Sequence, residues 1–453
     1  MDNIITWQWA LVLLSSLALI LCSPFAKNAK QFFKAENTNG QAPNFVVLTS
    51  SLVISWIFAK SITNAANLGL SFGFVGGLAY AGYYFSFCVA GLIIYQLRTK
   101  GGFESIHQFL HQKYGRSALW LFSILIAIRL FNEIWSNTMV IGTYFGAVGT
   151  SAYYASILVF TGLTLVYSLK GGMRSSMFTD LIQMVLFGVL LSLILSQIIP
   201  QTEGGITAFV QEGTWSMSMG LNLLFVALIQ SFSYPFHDPV MTDRGFIADP
   251  KMTLKSFFWA GLIGAICIVL FSFVGIFARL NGLEGEAPVV VSKTLGLAMM
   301  LMMNFIMITS AASTLDSTFS SFSKLVTIDL GWTQAITIQK GRLTMAVLAL
   351  LGTIPVFFNP EILSATTVSG TMVIGLAPVF LLWNWEMPKI SFHLSVGVGI
   401  LTGIILILGC PSYLLFFEGK YGDYLSLNIL GSIACFLAFL IPKWMNLESI
   451  RAK

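Results

Sequence analysis

Ser310, Ser313, Thr314, Ser317 and Ser321 recur at i, i+3, i+4, i+7 and i+11, which sets five hydroxyls on one face of a helix. The run before them, 295–306, is apolar, so the same helix reaches membrane depth. A hydroxyl stripe at that depth cannot face lipid without loss. It must face another helix, a water-filled cavity or an ion. Hydroxyl and carbonyl oxygens are the hard ligands that small cations prefer to nitrogen or sulfur. The competing reading is packing alone, since Ser and Thr let helices approach closely.

The other candidates are charges in apolar surroundings. Arg129 and Glu133 stand i, i+4, a spacing that allows a mutual ion pair. Alternatively Arg129 binds a substrate carboxylate, a task its planar fork suits. Lys60 needs a partner at depth, with Glu133, Asp316 and Asp180 as candidates, or it snorkels to an interface. Asp180 opens a span with Ser176 and Gln183 on its face. An acid there can simply complement a helix dipole.

The elements that carry these residues follow from composition. The chain has 453 residues, 56% hydrophobic and only 9% charged, with a mean hydropathy of +0.82. That is the signature of an all-α polytopic membrane protein, with the lipid bilayer as its solvent. The net charge of +5 then speaks to topology, not to nucleic acid. Five cysteines sit singly, so neither a disulfide framework nor a metal cluster is indicated. No nucleophile triad or phosphate loop is present, which argues against an enzyme and against an organic cofactor.

About 13 spans are expected, at 5–25, 45–67, 72–97, 118–148, 152–169, 176–199, 219–234, 256–277, 294–326, 343–358, 362–385, 390–408 and 425–441. The first lacks a small-residue cleavage pattern and reads as retained. An odd number places the termini on opposite sides. With the N-terminus outside and the C-terminus cytoplasmic, nineteen Lys and Arg fall in cytoplasmic loops. Only Arg279, Lys293 and Lys420 fall outside, while Lys60 and Arg129 lie within spans. This is a strong positive-inside bias, and it implies a cell membrane (inner or plasma) location. The amphipathic stretch 103–114 is expected on the cytoplasmic surface. Gly397, Gly399 and Gly403 read as close helix packing.

Two stretches are candidates for broken helices. The span ending at Tyr234 runs into Pro235, Phe236, His237, Asp238 and Pro239, and two prolines four apart remove donors and disfavour helix before each. Either a break lies there or the helix simply ends facing the cytoplasm. The span 46–67 has no central Gly or Pro but carries Ser50, Ser51, Ser55, Lys60, Ser61, Thr63 and Asn64, too polar for a lipid-facing helix.

Residues 171–183, with Gly171, Gly172, Thr179, Asp180 and Gln183, resemble the GG…TDxxQ signature of the sodium:solute symporter family. Residues 310–317, with Ser313, Thr314, Asp316 and Ser317, resemble that family's AxxSTxDS segment, and 243–249 looks like its short motif after the second break. The resemblance implies a LeuT-like 5+5 inverted-repeat core: an extra N-terminal helix and loop (1–44), a first repeat (45–199), a connecting segment with the second repeat (200–385) and two C-terminal helices (386–453). It implies alternating access, with Na⁺ as coupling ion for a small polar organic solute. By motif, Na⁺ is held by the Ser313 and Thr314 hydroxyls with Ser310 nearby. Asp180 matches an acid near the sodium path. A gapless placement back from Phe109 assigns the facing carbonyls to Ile54 and Ile57. Tyr234 matches the aromatic that closes the inner side of the substrate cavity, which Ser55, Ser61, Lys60, Arg129 and Glu133 would help to line. Arg129 favours a carboxylate-bearing solute, and a monomer is expected.

Lys60 and Trp56 depart from the pattern, falling where several relatives carry small or acidic residues. An ammonium beside the ion site could replace Na⁺ electrostatically. The alternatives are therefore a proton-coupled or uncoupled transporter using Lys60, or a membrane sensor built on the same fold.

Overall fold

An apolar chain in lipid satisfies its backbone through helices, and the computed structural model is built of them. It describes residues 2–331, 335–360 and 369–445, and among these no strand occurs. The helices are α1 (Asp2–Cys22), α2 (Ala29–Lys34), α3 (Phe45–Ile54), α4 (Ala59–Phe72), α5 (Phe74–Ala81), α6 (Phe85–Thr99), α7 (Ile106–Tyr114), α8 (Arg116–Gly142), α9 (Ser151–Gly171) and α10 (Met173–Ile198). They continue with α11 (Ile206–Gln211), α12 (Leu221–Gln230), α13 (Pro239–Arg244), α14 (Pro250–Leu280), α15 (Ala287–Thr294), α16 (Leu297–Lys324), α17 (Ile338–Thr353), α18 (Leu376–Leu381), α19 (Lys389–Leu408) and α20 (Gly422–Trp444). Among the described residues ten helices are long and apolar enough to span, and eleven if the bent pair α3–α4 counts as one. The remaining two expected spans are interrupted. The stretch 219–234 becomes the short α12, and 362–385 is represented by α18, part of it lying outside the described residues.

The helices gather into two units. One comprises Met1–Ala81, Leu130–Thr214 and Leu262–Ile362, the other Gly82–Arg129, Trp215–Gly261 and Leu363–Lys453.

In the first unit, α3 and α4 meet at a bend of 57° with neither Gly nor Pro in it. The amides of Trp56 and Ile57 both turn back to the Val53 carbonyl, and Phe58 is extended. The next bond of the ladder runs from Ile62 N to Phe58 O. The Lys60 amide, one of the orphan donors of a helix start, is met by the Asn137 side chain at 3.3 Å. A side chain of α8 thus helps to cap α4.

Close helix approach is set by small residues. A Cβ on Gly275 of α14 would stand 1.6 Å from the Ala66 carbonyl of α4. Gly275→Ala is therefore expected to cost about 1–3 kcal/mol through overpacking, read as a lower melting temperature in detergent. Gly162→Ala, where a Cβ meets nothing within 4 Å, is the control that adds the same methyl to a helix interior without a clash and is expected to leave the melting temperature unchanged or raised.

In the second unit, α19 carries two of the three glycines expected to pack. A Cβ on Gly399 would crowd the backbone of Met372 and Gly375, and one on Gly403 would strike Met372. Gly397 corrects that expectation: nothing lies within 4 Å of its Cβ position, because it points away from this contact. The prolines after α12 do break the helix. Tyr234–His237 forms one 3-10 turn, Asp238 is extended, and Pro239 opens α13. These residues are buried and do not face solvent, so the helix does not simply run out. The α7 helix is amphipathic as expected, capped by Ser105 and burying Ile106, Phe109, Leu110 and Tyr114.

Candidate functional site

All five stripe hydroxyls of α16 are buried, and they face protein. Two buried acids, Asp180 of α10 and Asp316 of α16 itself, take up the hydroxyls of Ser313 and Ser317. Asp180 accepts from Ser313 Oγ at 2.5 Å through Oδ1, and from Ser51 Oγ at 2.5 Å and Ser55 Oγ at 3.4 Å through Oδ2. One carboxylate therefore joins the end of α3, α10 and the stripe. Asp316 accepts from Ser176 Oγ at 2.7 Å, Thr179 Oγ1 at 2.9 Å and Tyr167 Oη at 2.9 Å. Ser317 links the two groups, lying 3.1 Å from Ser55 Oγ and 3.0 Å from Ser176 Oγ. Hydroxyl donation of this kind helps to hold a carboxylate in place.

The remaining sodium candidates sit around this network. Thr314 Oγ1 donates to the Ser310 carbonyl at 2.9 Å. Ser310 Oγ carries no hydrogen bond among the described residues although the residue is buried. A buried hydroxyl in that condition is costly unless something else meets it, and a cation would. Ile54 ends α3 and Ile57 lies in the break, both buried, and no backbone N–H bonds either carbonyl among the described residues. The broken helix and the stripe are in contact through Ser55 and Ser317. Such oxygens suit a hard monovalent ion, whereas among the described residues no cluster of His, Cys, Asp and Glu fits a metal centre.

Lys60 and Glu133 form a separate polar centre in the same unit. Lys60 Nζ bonds Glu133 Oε1 at 2.8 Å and Ser136 Oγ at 3.3 Å, with the Phe58 ring 5.1 Å away. Glu133 Oε2 accepts from Asn137 Nδ2 at 2.8 Å. Of the candidate partners for Lys60, the structure brings Glu133 to it, and the side chain is buried and does not snorkel. Ser61 accepts from Tyr80 Oη at 3.1 Å. In the second unit Arg129 meets Asp238 at 3.2 Å, and its Cζ lies 5.2 Å from the centre of the Tyr234 ring.

Sequence reasoning named Ser51 only as part of the polarity of 46–67, did not name Asn137, and left Asp316 and Asp238 outside the candidate site. Ser51 and Asn137 act across α3–α10 and α4–α8 contacts that no local pattern reveals. For Asp316 a signal existed: an acid inside a buried hydroxyl stripe must be met by donors.

No family model matches the chain. The fold, however, is shared almost end to end with solved transporters: it is all-α and of the LeuT type. The chain is similar to a Na⁺-coupled sialic acid symporter in its substrate-bound outward-open state, with a TM-score of 0.72, 16% identity, and coverage of 96% of this chain and 97% of that one. It is also similar to MhsT in complex with L-phenylalanine (TM-score 0.58, 16% identity, 88% and 98% covered) and to Mhp1, a nucleobase-cation-symport-1 family transporter (0.56, 11%, 93% and 94%). In sequence, a stretch of 136 residues is 29% identical to the sodium/glucose cotransporter 2 of Rattus norvegicus. That match covers 28% of this chain and only 20% of the cotransporter's length. The proteins it resembles are transporters, not enzymes.

Proposed function

We propose that the protein is a sodium-coupled symporter of the sodium:solute symporter kind, importing a small polar organic solute by alternating access. The observation that carries this reading is the junction of a helix bent by 57° with the buried hydroxyl stripe, through Ser55, Ser317 and Asp180. Na⁺ would take the hydroxyls of Ser313, Thr314 and Ser310 and the carbonyls of Ile54 and Ile57. Asp180 would supply negative charge beside them. A cation bridging α3 and α16 favours the arrangement that holds them together, so its binding shifts the population toward one side of the cycle. Each repeat, 45–199 and 200–385, then contributes one broken helix, the arrangement expected of inverted-repeat transporters. The N-terminus outside, the C-terminus in the cytoplasm and a monomeric cell-membrane protein complete the proposal.

The rival use of Lys60 in place of Na⁺ has less support, because its ammonium is committed to Glu133 and Ser136. The test is uptake by purified protein in liposomes, screened over sugars, polyols, amino acids and sugar acids. An inward Na⁺ gradient should drive accumulation of at least one of them. Uptake driven equally by a pH gradient without Na⁺, and abolished by Lys60→Ala, would reverse the assignment.

A further inference from the structure

Lysines and arginines from three distant stretches meet at one end of the first unit. Lys27 lies between α1 and α2, and Lys30 and Lys34 stand i, i+4 on α2. Lys170 and Arg174 flank the turn from α9 to α10, and Lys340 and Arg342 lie in the first turns of α17. Contacts tie the stretches together. Arg174 Nη1 donates to the Phe25 carbonyl at 3.1 Å and to Gln31 Oε1 at 3.2 Å, and Gln31 Oε1 also accepts the Lys27 amide at 2.9 Å. Lys170 Nζ donates to the Ile20 carbonyl and lies 4.7 Å from the centre of the Phe25 ring. Arg342 Nε donates to the Leu169 carbonyl at 2.7 Å. Phe32 is buried against Gly172 and Gly341, and Phe33 against Gly341, while Lys30 and Lys34 of the same helix are exposed.

None of these cations forms an ion pair among the described residues, whereas Lys60, Arg129, Arg279 and Lys324 each do. Carbonyls position Lys170, Arg174 and Arg342 without neutralising them. Beside the cluster runs a groove of about 130 Å³ between α1, α10 and α16, walled by Leu19 and Cys22, Ile182 and Leu186, and Phe305 and Ile308. Its open lining is almost wholly apolar. Space of that order takes a benzene-sized group, or a segment of one acyl chain. Cys22 is two residues from Ile20, whose carbonyl holds Lys170. At about 1.5 Å per residue, Ile182 stands roughly 12 Å along α10 from Arg174. A topology signal needs positive charge in the loops, but not its convergence beside an apolar groove. Charge and groove together fit an amphiphile with an anionic head.

We propose that this corner of the first unit binds an anionic phospholipid of the surrounding bilayer. Its phosphate sits among Lys27, Lys170 and Arg174, with Lys30 and Lys34 beside it, and one acyl chain enters the groove. A zwitterionic lipid brings the same chain without net charge, and free phosphate brings charge without the chain, so each meets half of the site. The bound lipid braces α1 against α10 and α16, the helices that carry Asp180 and Ser313.

The experiment uses the full-length protein in a neutral detergent. Dioctanoyl phosphatidylglycerol is the probe, with dioctanoyl phosphatidylcholine and inorganic phosphate as references at matched ionic strength. Phosphatidylglycerol should raise the melting temperature by about 3 °C or more above either reference, as a ligand of the folded form does. The difference should shrink in high salt. Phosphatidylglycerol should also slow maleimide labelling of Cys22, which is exposed in the groove, and leave that of Cys410 in the second unit unchanged. Lys27→Gln/Lys30→Gln/Lys34→Gln removes charge from exposed side chains, and Ala18→Phe fills the groove from its exposed rim without altering charge. Each variant should lose most of the response. The proposal is overturned if phosphatidylcholine or inorganic phosphate stabilises the wild type as strongly, or if the response survives either variant. Neither readout depends on sodium or on transport, so its failure is distinct from a failure of the coupling proposal.

Discussion

Replacing Ser313 and Thr314 together by alanine is expected to abolish sodium-stimulated uptake at physiological sodium while leaving the protein folded. Both side chains are buried on the face of α16 that meets α10 and α3, so the change removes two oxygens from a closed polar layer. An interaction between a hydroxyl and a charged group contributes about 1.5–3 kcal/mol. Losing two therefore raises the half-saturating sodium concentration by roughly 100-fold or more. Part of the loss runs through Asp180, because Ser313 is one of its donors. Ser51→Ala separates the two effects, since it removes another donor from the same acid but no proposed sodium ligand. Initial uptake rate against sodium concentration should show a large rightward shift for the double variant and a small one for Ser51→Ala. Equal curves for all three proteins would remove Ser313 and Thr314 from the ion site.

The second large effect concerns Lys60 and Glu133. Both side chains are nearly inaccessible, at 0% and 4% exposure, and their charged atoms lie 2.8 Å apart. Removing one partner breaks a buried ion pair. Lys60→Met and Glu133→Gln should each cost about 3–5 kcal/mol. The Lys60→Met/Glu133→Gln double variant should cost clearly less than the sum, because neither charge remains. A double-mutant cycle on thermal or denaturant unfolding measures this directly. Strict additivity would mean that the two groups do not stabilise one another. The same variants report on function: if Lys60 serves mainly to hold α4 against α8, the double variant keeps sodium-driven uptake.

Much of this architecture is legible in the chain because the solvent is lipid. An apolar run of about twenty residues has essentially one way to satisfy its backbone, so the spans, the all-helical class and the charge asymmetry of the loops follow from local composition. The stripe from Ser310 to Ser321 is equally local. A 3.6-residue period puts hydroxyls on one face whatever surrounds it, and lipid cannot be what that face meets. The break after α12 is also written in the chain, in Pro235 and Pro239, whose missing amides cannot continue a helix.

The bend between α3 and α4 is different, since nothing between Ser55 and Phe58 forbids a helix. It persists where amides turn back to Val53 and where Asn137, far away in sequence, caps the second half. The pairing of charges is decided in the same way. The i, i+4 spacing of Arg129 and Glu133 is legible in the sequence, but it does not reveal that Lys60 from another helix lies on Glu133 or that Asp238 from the broken helix lies on Arg129. Periodicity fixes the direction of a side chain about its own helix axis. Which helix stands opposite, and how far along, depends on packing summed over the whole chain, so the choice of partner for a buried charge cannot be read from its neighbours in sequence.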